Sequence, residues 1–267
     1  MTYALLGGSA IALTSGLVGY FLVLRGQLFT GDALSHVAFT GGLAAVAAER
    51  DPRVGLFAGT IVIALVLGAL GSRVRADDVI IGGVFAWVLG LGALFVSITA
   101  QSSASSRTSA GISVLFGSVT AFDTGRARGA LIVAVVVTAA IVLIARPLLF
   151  ASIDAAVAAA RGVPVRGLDY AFLVIAGIAC AEAAQAVGAL LLLGLLAAPA
   201  GAAQLLTTRP FAALALSGAL ALAVVWVGLG ANYIDPDVPA SFAIVGGASM
   251  LYLSIVTVTS ARKAGAG

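Results

Sequence analysis

The sequence predicts an all-α, polytopic integral membrane protein with about eight or nine transmembrane helices. Composition is the first reason: of 267 residues, 61% are hydrophobic and only 9% are charged, against about 25% charged in an ordinary soluble domain. Fourteen basic and eleven acidic side chains cannot solvate the surface of a folded chain of this length, so the bilayer is its main solvent. The second reason is that apolar runs near the length of a membrane span recur along the whole chain, with short connections between them. The third is that arginines fall on alternate connections, as they do in cytoplasmic loops.

The apolar runs cover residues 3–24, 28–48, 54–70, 79–100, 130–144, 170–184, 187–206, 211–231 and 241–258. The first is read as a retained span, because nothing basic precedes it and no small-residue cleavage signal follows it. The two runs around Glu182 and Gln185 are either one broken helix or a tight pair. Arg25, Arg73 with Arg75, Arg146 with Arg161 and Arg166, Arg209, and Arg262 with Lys263 all fall on the same side. That side is expected to be cytoplasmic, with the N-terminus outside and the C-terminus inside. The opposite connections hold residues 49–53, a Ser-rich stretch at 101–110, and Asp235 with Asp237. Arg126 and Arg128 break the alternation unless residues 112–122 dip into the membrane. Residues 1–260 are expected to be a single transmembrane domain, with 261–267 a short cytoplasmic tail. The 33 glycines and many alanines suit close helix contacts in lipid.

Several function classes drop out. Lys263 is the only lysine and lies at the C-terminal end, so a phosphate-binding Gly-Lys-Ser/Thr loop is excluded and the chain does not hydrolyse nucleotide alone. Cys180 is the single cysteine. It permits neither an internal disulfide nor a Cys-rich zinc site, and it sits in an apolar run as a buried thiol would. The arginines are scattered singly, which argues against nucleic-acid binding.

The sharpest chemical signal is Gly31-Asp32-Ala33-Leu34-Ser35-His36, at the cytoplasmic start of the second run. Asp32 and the only histidine, His36, are four residues apart, which puts them on one helical face with Cβ atoms about 5–6 Å apart. An imidazole beside a carboxylate suits a first-row divalent metal. Two ligands are too few for a tight structural site, and weak binding is what a pathway needs, since an ion held too well does not leave. In a two-fold dimer, two Asp and two His would surround the axis. The spacing alone equally allows Asp32 to cap the helix and His36 to bond a nearby carbonyl. Glu182, with Gln185 a turn away, is a further metal-pathway residue or a docking residue at an outer loop.

Two further features concern mechanics. The stretch from Asp154 through Ala155, Ala158 and Arg161 to Gly162 and Pro164 opens with a Ser152 or Asp154 cap, is Ala-rich, and is stopped by Gly162 and Pro164. It reads as a short helix on a cytoplasmic loop, either a plain connector or a lever seated in a cytoplasmic partner. Pro199, flanked by Gly194 and Gly201, predicts a kink or open backbone.

Taken together these residues resemble the integral membrane subunit of ATP-binding-cassette importers for zinc, manganese or ferrous iron, over nearly the whole chain. Leu24-Arg25 followed by Gly31 to His36 looks like that family's second-helix signature, and Leu115-Phe116-Gly117 matches a short element before its fifth span. Arg146-Pro147-Leu148-Leu149 and the Asp154 to Gly162 helix look like its ATPase-contacting segment. Val187-Gly188-Ala189-Leu190-Leu191, Ala198-Pro199-Ala200 and Asp237-Val238-Pro239 are similar to later family motifs. Departures are Thr40-Gly41, where Pro-Gly is common, and Ser241, where glycine is common.

The resemblance implies a multi-pass permease of the cell (inner or plasma) membrane, working as a homodimer. It would take Zn, Mn or Fe(II), with zinc or manganese foremost, from an extracytoplasmic metal-binding protein by alternating access. ATP would be hydrolysed on separate ABC ATPase subunits, and no cofactor would be held permanently. Asp32 and His36 would then be transient ligands, with Glu182 a weaker third. Asp154, Ala155, Ala158, Arg161 and Gly162 would couple to the ATPase, and Asp235 and Asp237 would serve an outer gate or docking surface. A secondary transporter driven by an ion gradient is the alternative. A lipid-phosphate transferase is a poorer one, because the adjacent Asp77-Asp78 pair has no second acidic motif with which to hold magnesium.

Overall fold

A computed structural model describes residues 2–71, 78–101, 117 and 122–264. The described residues form ten helices and no strand: α1 (Thr2–Leu24), α2 (Leu28–Ala47), α3 (Pro52–Gly71), α4 (Asp78–Gln101), α5 (Thr124–Ile153), α6 (Ala155–Ala160), α7 (Val165–Val187), α8 (Leu192–Leu206), α9 (Pro210–Ile234) and α10 (Ala240–Ala264). Seven of them, α1, α3, α4, α5, α7, α9 and α10, are long and apolar enough to cross a membrane. α8 is a shorter apolar helix. α2 matches their length but is less apolar, because it carries Asp32 and His36. The protein is a polytopic helical bundle, as composition requires.

Helix ends follow local chemistry. α1 stops where Gly26, at φ +65°, lets its own N–H reach Val23 O (3.1 Å) and that of Gln27 reach Leu22 O (2.8 Å). This pair of bonds is the Schellman cap, which glycine favours because it has no Cβ to clash. Gly162, at φ +82°, closes α6 in the same way, through bonds from Gly162 N to Ala159 O and from Val163 N to Ala158 O. α2 ends in the same motif with Glu49 at φ +57°, among the described residues the only non-glycine in the left-handed region.

α5 departs from the expected run at 130–144. Its N-cap is Asp123, whose Oδ1 accepts from Arg126 N at 2.8 Å, so the helix begins at Thr124 and takes in Arg126 and Arg128. It continues through Pro147 to Ile153. Thirty residues span about 45 Å, longer than a hydrocarbon core of about 30 Å, so the helix carries charged residues at both ends. Phe122 packs where a Cβ on Gly7 would fall 2.5 Å from its ring, so α5 starts at the end where α1 starts. α4 runs beside α2 and ends at that same end, with Thr40 Oγ1 donating to Val88 O at 3.1 Å. α4 therefore ends, and α5 begins, at one end of the bundle, where Arg126 and Arg128 stand. Of the segment 112–122, Gly117 and Phe122 are described. Ser72 to Asp77, residues 102–116 (with Leu115 and Phe116), 118–121 and 265–267 lie outside the described residues, as does the side chain of Asp78.

The break expected near Glu182 and Gln185 comes later. α7 is continuous through both residues and ends at Gly188, at φ +89°. The buried polar pair is accommodated by side-chain bonding, and it is glycine that permits the sharp turn into α8. Gly117, at φ +73°, abuts this turn so closely that a Cβ there would collide with the backbone of Ala186 and Gly188. α8 stays helical through Pro199, so that residue does not open the backbone.

α1 is the central helix, packed by α5, α7, α8 and α9, while α4 and α10 are peripheral and mostly exposed. Small residues set the closest approaches, as expected where no hydrophobic force drives helices together. Ser217 Oγ donates to Gly16 O at 2.6 Å between α9 and α1, and Gly41 and Gly55 meet backbone to backbone between α2 and α3. Phe21, Leu22, Phe172, Leu195 and Leu196 fill the centre and are fully buried.

Candidate metal pathway

Asp32 and His36 lie in the second turn of α2 and beyond, on one face, with Asp32 Oδ1 4.0 Å from His36 Nε2. Their side chains are 23% and 14% exposed, so both groups are largely enclosed yet reachable. Asp32 does not cap the helix. The N-cap is Gln27, which makes no side-chain cap bond. His36 packs edge-on against Phe85 of α4, with centroids 5.1 Å apart and planes at 78°. Phe29, two turns earlier on the same helical face, also touches Phe85 at 5.7 Å. The imidazole is held by an aromatic contact, and among the described residues it makes no hydrogen bond to a carbonyl.

α7 meets α2 at the residue just before this pair. Ser35 Oγ donates to Gly31 O at 2.9 Å, and Cys180 Sγ lies 3.8 Å from the same oxygen. Cys180 is fully buried, as its apolar setting predicted. It stands fifteen residues into α7 from Val165 and seven before Val187, or about 22 Å and about 10 Å along the axis. The start of α2 is thus recessed into the bundle, and Asp32 and His36 sit at interior depth instead of at a helix mouth.

Glu182 does not join them. Two residues from Cys180, it projects about 200° around α7, away from Gly31. It is 4% exposed; its Oε2 accepts from Gln185 Nε2 at 3.1 Å, and Gln185 Oε1 accepts from Arg53 Nε at 3.0 Å. Its other oxygen, Oε1, has no partner among the described residues. This chain of bonds ties α7 to the first turn of α3. Asp235 and Asp237 sit apart again, exposed on the α9–α10 turn, where Asp235 Oδ1 accepts from Asp237 N at 3.2 Å. No group of three or more His, Cys, Asp or Glu side chains converges among the described residues. Asp32 and His36 bring two donor groups together.

The lever region is ordered by its own sequence. Asp154, not Ser152, is the cap of α6, its Oδ1 accepting from Val157 N at 2.9 Å. Ser152 instead donates to Leu148 O at 2.6 Å. Asp154, Ala155, Arg161 and Gly162 are exposed, whereas Ala158 is fully buried and faces the bundle. Sequence reasoning did not single out Ile153 and Val157. They are 71% and 44% exposed and give this corner an apolar tip. Their four-residue spacing, the signal that could have found them, spans the α5–α6 junction. Arg25 and Asp169 are likewise joined, as an ion pair between the α1–α2 turn and α7.

Comparison with known proteins agrees with this architecture. Over 265 residues the chain is 29% identical to the manganese import system permease protein ScaB of Streptococcus parasanguinis, covering 97% of this chain and 91% of that protein. Over 254 residues it is 27% identical to the manganese transport system membrane protein MntC of Listeria monocytogenes, covering 95% and 86%. Among solved structures it superposes on PsaBC from Streptococcus pneumoniae in complex with Fab at a TM-score of 0.81, with 25% identity, over 95% of this chain and 90% of that one. A profile described as the ABC 3 transport family matches residues 1–259. Since that match runs from the first residue almost to the end of α10, the chain belongs to the ABC 3 transport family.

Proposed function

We propose that this protein is the permease subunit of an ATP-binding-cassette importer, and that it carries a divalent transition metal, manganese foremost and zinc next, into the cytoplasm. The observation that carries the reading is the Asp32 and His36 pair, enclosed at interior depth beside Cys180 and Ser35, in a chain whose relatives are named as manganese permeases. A carboxylate and an imidazole bind both metals, and a two-donor station releases an ion readily. Homodimerisation would bring a second pair to the assembly.

Energy would come from cytoplasmic ABC ATPase subunits engaging α6. Its exposed edge of Asp154, Ala155, Arg161 and Gly162, with the apolar tip of Ile153 and Val157, supplies the contact. Ala158 holds the helix to the bundle. Metal would arrive from an extracytoplasmic binding protein at the end bearing Asp235 and Asp237, with the N-terminus outside and the C-terminus cytoplasmic. Glu182 acts on this reading as a structural tie between α7 and α3, since it faces away from the pair. The test is uptake of radiolabelled manganese into proteoliposomes holding the permease with its ATPase and binding protein. ATP-dependent accumulation supports the proposal, and accumulation by the permease alone under an ion gradient would replace it with a secondary transporter.

A further inference from the structure

Arg25 and Asp169 join two parts of the molecule that are 144 residues apart in the chain. Arg25 is the last residue before the Gly26 turn that leads into α2. One guanidinium nitrogen, Nη2, donates to Asp169 Oδ1, and the guanidinium carbon sits 5.4 Å above the ring of Phe172. Phe172 is fully buried and meets Phe21 of α1 edge-on, with centroids 6.1 Å apart. The cation is therefore held at three points: its own turn, the carboxylate and the aromatic face.

Each partner is rigidly continued. On one side, Asp169 stands in the first turns of α7, which is tied back to α6 by Val163 N to Ala158 O, Val165 N to Val163 O and Leu168 N to Pro164 O. α6, its glycine stop and the start of α7 thus form one hydrogen-bonded bracket. On the other side, Arg25 is followed by the Schellman turn, and Gly31 N bonds to Gln27 O, so the turn continues directly into the helix that bears Asp32 and His36. A displacement of α6 reaches the start of α2 through this ion pair without passing along the length of any helix.

Two orphaned groups sit at the same joint. Arg25 Nη1 and Gln27 Oε1 are both buried and have no hydrogen-bond partner among the described residues. A partly buried ion pair is poor value as a pure stabiliser, because desolvation offsets much of its attraction. One that also leaves a donor and an acceptor unmade calls for another explanation. Joining the turn to α7 is the role left for it.

We infer that Arg25 and Asp169 are positioning residues of the transport cycle, a strut that couples the α6 bracket to the metal-bearing start of α2. The inference rests on the permease reading above. The test uses the permease assembled with its ATPase in proteoliposomes and reads manganese moved per ATP hydrolysed. Arg25→Gln and Asp169→Asn are expected to keep ATP hydrolysis within about twofold while the metal-to-ATP ratio falls about tenfold, a size typical of a broken networked pair. The charge-swapped double variant Arg25→Asp with Asp169→Arg is expected to recover most of the ratio, and Arg25→Lys an intermediate part of it.

A merely structural pair would lower assembly, hydrolysis and uptake together, and that result overturns the strut. An unchanged ratio in both single variants, or failure of both the swap and Arg25→Lys to recover any of it, overturns it as well. If the wild-type assembly moves no manganese or zinc, the permease reading itself falls. The two failures are therefore distinct.

Discussion

The thiol of Cys180 lies 3.8 Å from the carbonyl oxygen of Gly31, one residue before Asp32. That contact fixes the depth of the candidate station, because Cys180 belongs to the C-terminal half of α7 while Gly31 is at the very start of α2. A fully buried thiol in apolar surroundings is inert, so Cys180 is expected to resist maleimide labelling in the folded protein and to react only after denaturation. Cys180→Ala should retain uptake. Cys180→Leu overpacks the α2 contact and should cost about 1–3 kcal/mol, read from unfolding in mild detergent, together with a loss of uptake.

The crossing of α2 and α3 leaves no room for side chains at Gly41 and Gly55, since a Cβ on either would collide with the carbonyl of the other. Gly41→Val should therefore destabilise the protein by about 3 kcal/mol or prevent its assembly. Gly82, around which a Cβ meets nothing within 4 Å, is the control, and Gly82→Ala should leave the same unfolding measurement unchanged or slightly improved.

Asp154 caps a six-residue helix that has little else to start it. Asp154→Ala should cost about 1 kcal/mol locally and loosen α6 without unfolding the bundle. Val157→Asp tests the surface directly. It should leave the permease monodisperse while co-purification with the ATPase falls, whereas undiminished co-purification would remove α6 as the contact.

Glu182 should behave as part of a tie and not as a ligand. Glu182→Gln keeps its shape and removes a buried charge of which one oxygen is unpartnered among the described residues, so stability should be equal or higher by about 1 kcal/mol and uptake should stay within about twofold. A complete loss of uptake with intact assembly would return Glu182 to the pathway.

The limits of sequence reading show at particular residues. Apolar runs at 3–24 and 54–70 correspond closely to α1 and α3, because in lipid a span needs little more than length and hydrophobicity. The run at 130–144 understated α5, since Arg126, Arg128 and Pro147 look like interruptions until Asp123 is seen to cap a helix of 30 residues, longer than a hydrocarbon core requires. Asp32 and His36 were legible as a pair because four-residue spacing is a local property. Their enclosure was not, because it depends on Cys180, Phe85 and Ser35 meeting across three helices. The Arg25 to Asp169 pair was wholly hidden, since nothing local links a turn residue to a carboxylate 144 positions away. Thr40 shows the converse: read as a departure from a family proline, it donates a bond to α4 that proline could not make.

The measurement closest to the central claim is manganese uptake by proteoliposomes carrying the permease, its ATPase and its binding protein, with Asp32→Ala and His36→Ala compared with wild type. Both variants should assemble normally, because neither side chain makes a structural hydrogen bond among the described residues, and each should lose at least about tenfold in transport. Wild-type uptake by both variants would contradict the account.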